Sequence, residues 1–179
     1  MICYKQANTI KELKQILALQ KRNLLSGISE EEAKKEGFVS VHHTLELLQQ
    51  MNESCPHTIA KDGDTVIGYA LSMHPKFGNS IEMLKPMFTE IDTVTKKNST
   101  LKNYIVMGQI CIDVAYRKQG IFRELYTAMK AFLLPTFSTI ITEVDIKNNR
   151  SLQAHYAIGF KKLSTYSSGG QDWELIYLI

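Results

Sequence analysis

Cysteine is scarce in this sequence and follows no pattern. There are three, Cys3, Cys55 and Cys111, an odd number with no CxxC pair. That argues against a disulfide framework and against a zinc site, so no metal is expected and the thiols read as reduced. No apolar run approaches the roughly 20 residues of a membrane span. The opening residues MICYKQANTIKELK lack the basic-then-apolar layout of a secretory signal. A cytoplasmic protein with no membrane partner is the expectation. Long runs of lysine and arginine are missing too. Net charge is only +3, and the Lys-Lys pairs at 34–35, 96–97 and 161–162 read as solvated surface, which points away from nucleic acid. Neither the Walker pattern G-x-x-x-x-G-K-[ST] nor the dinucleotide pattern G-x-G-x-x-G occurs. There are no internal repeats and no low-complexity linker, so residues 1–179 are read as one domain with a single core.

What is present is a change of rhythm along the chain. Thr9 and Glu12 form a T-x-x-E capping box ahead of Ile10, Leu13, Ile16 and Leu17, a helical stripe. Ser29 with Glu32 signals a second helix stopped by Gly37, and Leu45, Leu47, Leu48 and Met51 suggest a short third. Residues 57–61 and 65–73 flank Asp62-Gly63 and read as a β-hairpin. Residues 79–92 read as helical despite Pro86, and 96–100 as a loop. Then follow a strand (104–114), a helix (121–134), a strand (139–146), a helix (149–158) and strands at 160–166 and 172–179. Helices, antiparallel strands and a final β-α-β-α-β-β run give an α/β class: a mixed, mostly antiparallel sheet flanked by helices.

Two stretches carry the chemistry. The first is Arg117-Lys118-Gln119-Gly120-Ile121-Phe122, where the strand becomes a helix. A helix start has unpaired N–H groups and a partial positive charge, and it suits an anion, often a phosphate. The second is VDIKNNRSLQAHYAIGF, 144–160. Asn148 caps a helix, Ser151 and His155 share one of its faces, Gly159 stops it and Phe160 opens the next strand.

The two stretches together resemble the GNAT-type (Gcn5-related) N-acetyltransferases. That family's acetyl-CoA turn, [QR]-x-x-G-x-[GA], corresponds to Arg117 through Phe122, with Phe122 where the family usually has Gly or Ala. Its N-x-x-[SA] helix ending in Gly-Phe corresponds to Asn148, Ser151 and Gly159-Phe160. The resemblance is strong over about 104–165. It implies a single acetyltransferase-like domain: a helical part (1–56), the hairpin and cofactor strand (57–114), and the CoA-binding turn with the C-terminal part (115–179).

Several roles follow from the resemblance. The cosubstrate is acetyl-CoA, its pyrophosphate cradled by N–H groups from about Gln119 through Ile121 and Phe122 to Arg123. Gly120 permits close approach, and Arg117 and Lys118 add charge. The pantetheine arm runs along Ile112, Asp113 and Val114, and Asn148 and Ser151 lie beside it. The implied reaction transfers acetyl directly to a primary amine of a small molecule, peptide or protein. The family often places a Tyr four residues before the helix-ending Gly as general acid. Here that position is His155, with Tyr156 beside it as the second candidate. Strand 104–114 has no Glu, so Glu143, which shares a face with Asp145, is the candidate base. A non-catalytic acyl-CoA-binding module is the alternative reading. A monomer or homodimer is expected, with the apolar last strand as a possible pairing edge.

Overall fold

The computed structural model describes residues 1–24, 42–98 and 101–179; the helix expected at 29–37 and part of the loop expected at 96–100 lie outside them. Seven strands form one sheet: β1 (Ile2–Gln6), β2 (Thr58–Asp62), β3 (Thr65–Met73), β4 (Tyr104–Ile112), β5 (Thr139–Asp145), β6 (Lys161–Ser168) and β7 (Gln171–Leu178). The spatial order is β1-β2-β3-β4-β5-β7-β6. Every pairing is antiparallel except β4 with β5. The sheet is therefore mixed and mostly antiparallel, as expected. The described α-helices are α1 (Ile10–Arg22), α2 (Leu45–Ser54), α3 (Lys85–Lys97), α4 (Ile121–Leu133) and α5 (Asn149–Tyr156).

Local signals explain most boundaries. The Thr9 side chain accepts from the Glu12 N–H while Glu12 returns to the Thr9 N–H, so the capping box forms. Asn148 caps α5 by accepting from the Ser151 N–H, and Gly159 leaves the helix at φ +103. Pro86 does not interrupt a helix. It sits in the first turn of α3, where its missing N–H is harmless, and a separate 3-10 turn covers Glu82–Leu84. Strand β1 was not foreseen. Its ICYKQ pattern is only weakly apolar, and pairing with β2 is what makes it a strand.

Two cores sit on opposite faces. Leu13, Ile16, Leu48, Tyr69 and Cys111 pack under α1 and α2, with Met87, Ile91, Val106 and Ile141 continuing that face under α3. Tyr126, Met129, Ile140, Leu152 and Phe160 fill the other face against α4 and α5.

The sheet's irregularity at its centre positions the site. β4 pairs with β5 only over Tyr104–Val106 with Thr139–Ile141. The Thr142 hydroxyl then donates to the Met107 carbonyl at 2.8 Å, and beyond this the two strands separate. On the other edge, β4 carries a bulge. Leu71 faces Gln109 but Ser72 faces Met107, so Gly108 has no partner. The extra residue inverts the alternation of β4: Ile105 and Met107 face α4, and after the bulge Ile110 takes that side while Gln109 and Cys111 turn towards α1.

Candidate active site

The gap between β4 and β5 holds two clefts. The first, about 250 Å³, runs from Ile110 and Ile112 on β4 to Gly120 and Phe122 at the start of α4 and to Asn148 and Ser151 on α5. The second, about 140 Å³, lies between Met83 and Leu84, Gln109, and Glu143 and Asp145. Ile110, Asn148 and Ser151 line both, so the clefts meet there.

The floor of the junction is an open strand edge. The Asp113 N–H donates to the Ile67 carbonyl at 2.8 Å, towards β3. Successive N–H groups along a strand alternate sides, so those of Ile112 and Ile110 point to the gap that β5 has left. The Ile112 carbonyl accepts from Arg117 Nε at 3.2 Å.

At the far end of the first cleft, α4 begins without a side-chain cap, and Gly120 stands at φ +81. The first-turn N–H groups of Ile121, Phe122 and Arg123 have no intrahelical partner. A Cβ at Gly120 would meet nothing within 4 Å, so within the protein the glycine serves the left-handed backbone rather than a tight contact. Lys118 also has a positive φ, 63°, a costly conformation for a residue with a side chain. The Phe122 ring stacks edge-on against Tyr126 and His155, at centroid distances of 5.2 and 5.0 Å. It is thus turned back between the helices, and the bulk that replaces the family's small residue packs on protein.

Several expected cofactor residues also make side-chain bonds within the protein. The Arg117 guanidinium donates to Asn23 Oδ1 at 2.7 Å, and both residues line the first cleft. Asp113 lies past the end of β4, caps a 3-10 turn through the Ala115 N–H and pairs with Arg22 at 3.0 Å. Val114 is in that turn, 64% exposed, so the edge available along β4 ends at Ile112 and extends back to Ile110. The Gln119 side chain bonds to the Ala115 carbonyl, and Arg123 to that of Ala157. Arg117, Lys118, Gly120, Ile121 and Phe122 line the cleft. Asn23, Tyr116 and Arg150, not foreseen, line it too.

The acid–base candidates separate clearly. Glu143 lines the second cleft, accepts a hydrogen bond from Tyr166, and burial pushes its carboxyl up to about 7 against the opposing pull of that bond. It can thus take a proton near neutrality. His155 is almost wholly buried, and both ring nitrogens are engaged. Nδ1 lies 2.7 Å from the Ser151 carbonyl, which can only accept, so Nδ1 carries the proton. Nε2 accepts from the Tyr126 hydroxyl at 2.8 Å. Burial pushes the imidazole down to about 4, so it is neutral at pH 7. Tyr156 donates to Glu174 on β7 and does not line either cleft. Ser151 is the hydroxyl at the junction. Tyr166 was missed because it reaches Glu143 from two strands away in the sheet order, and local sequence carries no signal for that approach.

A buried polar cluster backs the second cleft. Gln109 Oε1 accepts from Tyr69 at 2.7 Å and from Gln20 at 2.6 Å, and Gln20 also donates to His43 Nδ1 at 2.9 Å. Burial holds His43 neutral, at about 4.

The acetyltransferase (GNAT) family matches residues 23–160, more than half of the chain, including the first cleft and most of the second. The chain belongs to the acetyltransferase (GNAT) family. No curated protein matches it in sequence. Many solved structures are similar to it in fold, among them the following. The ribosomal-protein-S18-alanine N-acetyltransferase of Escherichia coli is 12% identical, with TM-score 0.64, over 99% of this chain and 93% of that one. The putative acetyltransferase yncA of Salmonella typhimurium, solved with acetyl-CoA, is 12% identical, with TM-score 0.65 and the same coverage. Naa50 of Arabidopsis thaliana, in complex with a bisubstrate analogue, is 13% identical, with TM-score 0.64, over 99% and 98%. For this GNAT chain, the family assignment agrees with the resemblance carried by the turn at 117–122 and the helix at 148–160. Among the described residues, no helix is long and apolar enough to cross a membrane, and no group of three or more His, Cys, Asp or Glu is placed to hold a metal.

Proposed function

We propose that this chain uses acetyl-CoA to acetylate a primary amine directly, with the cosubstrate in the first cleft and the amine in the second. The observation that carries the reading is the junction of the two clefts on the open edge of β4, beside a carboxyl held near pH 7. Acetyl-CoA supplies the acetyl thioester. The uncapped start of α4 suits its pyrophosphate, because unpaired N–H groups and the helix dipole meet there. The Ile110 N–H, aimed into the junction, polarises the carbonyl under attack. Holding amine and thioester side by side on rigid strands supplies much of the rate. Glu143 takes the proton that the attacking amine must lose, and Tyr166 fixes its orientation. Ser151 and Asn148 border the thioester position. His155 holds the first turn of α5, and with it Ser151, in place.

One observation favours binding without turnover: the residue at the family's acid position, though it lines the second cleft, is buried and bonded through both ring nitrogens. Calorimetric titration with acetyl-CoA, followed by free-thiol release with a panel of amines, decides between the readings. We expect saturable binding that is lost in Gly120→Glu, which puts a carboxylate at the pyrophosphate, and thiol release that depends on both amine and Glu143. A folded protein that binds no acetyl-CoA at millimolar concentration refutes the proposal. Binding with no turnover of any amine leaves the binding module.

A further inference from the structure

The second cleft is chemically one-sided. Its charged lining residues are the carboxylates Glu143 and Asp145, and among the described residues no Lys or Arg lines it. Nearby cations are committed elsewhere: Lys162 pairs with Glu174 at 3.0 Å, and Arg150 lines the other cleft. The rest of the lining pairs neutral polar groups, among them Gln109, Ser151, His155 and Tyr166, with a soft apolar side. Met83, Leu84 and Pro86 enter from the 3-10 turn and the start of α3, and Met107 and Trp173 from the sheet. Thioether and indole surfaces adapt to varied apolar shapes but offer nothing to an anion. At about 140 Å³ the cleft is smaller than the usual small-molecule pocket, so it takes a group of side-chain size while the remainder of a longer ligand stays outside.

We infer that the acceptor is a primary amine carried on an apolar group with no carboxylate beside it. This rests on the reading of the second cleft as the amine site. The ammonium form is drawn by Glu143 and Asp145 before Glu143 removes its proton. A free α-amino acid would bring its own carboxylate against those two without a cation to meet it, and like charges close together in a partly dry cleft repel. Two kinds of molecule meet the description: a small alkyl or arylalkyl amine, and a peptide N-terminus with an apolar first residue, whose carboxylate has become an amide.

Calorimetric binding in the presence of millimolar CoA tests this independently of turnover. The probes are methionine, methionine amide, hexylamine and a short peptide beginning with Met. Methionine amide and hexylamine are expected to bind at least tenfold more tightly than methionine. The peptide separates the sources. Tighter binding than the amide identifies a peptide N-terminus, equal or weaker binding a small amine, and either supports the inference. Met83, 60% exposed at the rim, allows a charge graft with little risk to folding. Met83→Arg is expected to shrink the discrimination against methionine to threefold or less. Methionine binding as tightly as its amide, no binding of amide and hexylamine at millimolar concentration, or an unchanged ratio in Met83→Arg overturns the inference. Selective binding without acetylation of any amine would instead refute the catalytic reading and leave the preference standing.

Discussion

Glu143→Gln tests the central claim, because one substitution should move both stability and rate in directions set by the same carboxyl. Burial raises its pKa from 4.5 to about 7. The folded chain therefore holds a proton that the unfolded chain releases above about 4.5. Stability contributed by the protonated form is fully present below 4.5 and lost as pH rises through 7. At about 1.4 kcal/mol per pH unit the ceiling is about 3 kcal/mol, and partial solvent access at the cleft brings the expectation to about 2 kcal/mol. Glutamine fills the same space, still accepts from Tyr166 and cannot ionise. The wild type should thus lose about 2 kcal/mol relative to the variant between pH 4.5 and pH 8, read by urea unfolding at both ends. In the same pair, kcat/KM of the wild type should climb to a plateau with a midpoint near pH 7. The variant should fall by about 10²–10⁴-fold, the usual contribution of a general base. Parallel stability curves for the two proteins across that range would refute the buried carboxyl. A variant retaining wild-type rate would refute its role as the base.

His155→Phe should destabilise the fold by about 2–4 kcal/mol, because the Tyr126 hydroxyl and Ser151 carbonyl lose a buried partner. It should lower the rate without altering the pH profile above 5, since the imidazole is already neutral there; loss of a descending limb would restore it as the acid. Gly120→Ala should cost about 1–2 kcal/mol in thermal or denaturant unfolding, from the left-handed backbone alone, because its Cβ meets open space. A cost near zero would contradict that φ. Glu12 differs from Glu143 in sign. Burial opposes its ionisation, but the Asn8 N–H and the Lys5 and Lys61 ammonium groups outweigh it and hold the carboxyl at about 2. Its stabilisation is present above 4.5 and lost as pH falls towards 2. Glu12→Gln should therefore cost about 2–3 kcal/mol at pH 7, with the difference vanishing in acid unfolding near pH 2.

Features set by a few adjacent residues were legible in the sequence. The Thr9–Glu12 box, the hairpin at Asp62-Gly63, the turn at Arg117–Gly120 and the α5 cap at Asn148 depend on backbone conformation and short-range hydrogen bonds, which neighbouring side chains decide. So did the α/β order, because periodicity reports which face of each element is buried. The pairing of β1, the bulge at Gly108 and the parting of β4 from β5 were not legible. Each depends on register between segments far apart in the chain, and nothing within one segment fixes a partner's register. The chemistry divides along the same line. Sequence put His155, Tyr156 and Glu143 forward as acid–base candidates and Ser151 as a cofactor contact, but only tertiary structure set their surroundings. It bonds His155 to both Ser151 and Tyr126, joins Arg117 to Asn23, and brings Tyr166 to Glu143 across β7. Residue type gives a side chain its chemistry, while burial and distant partners set its charge and reach, and these exist only once the chain is folded.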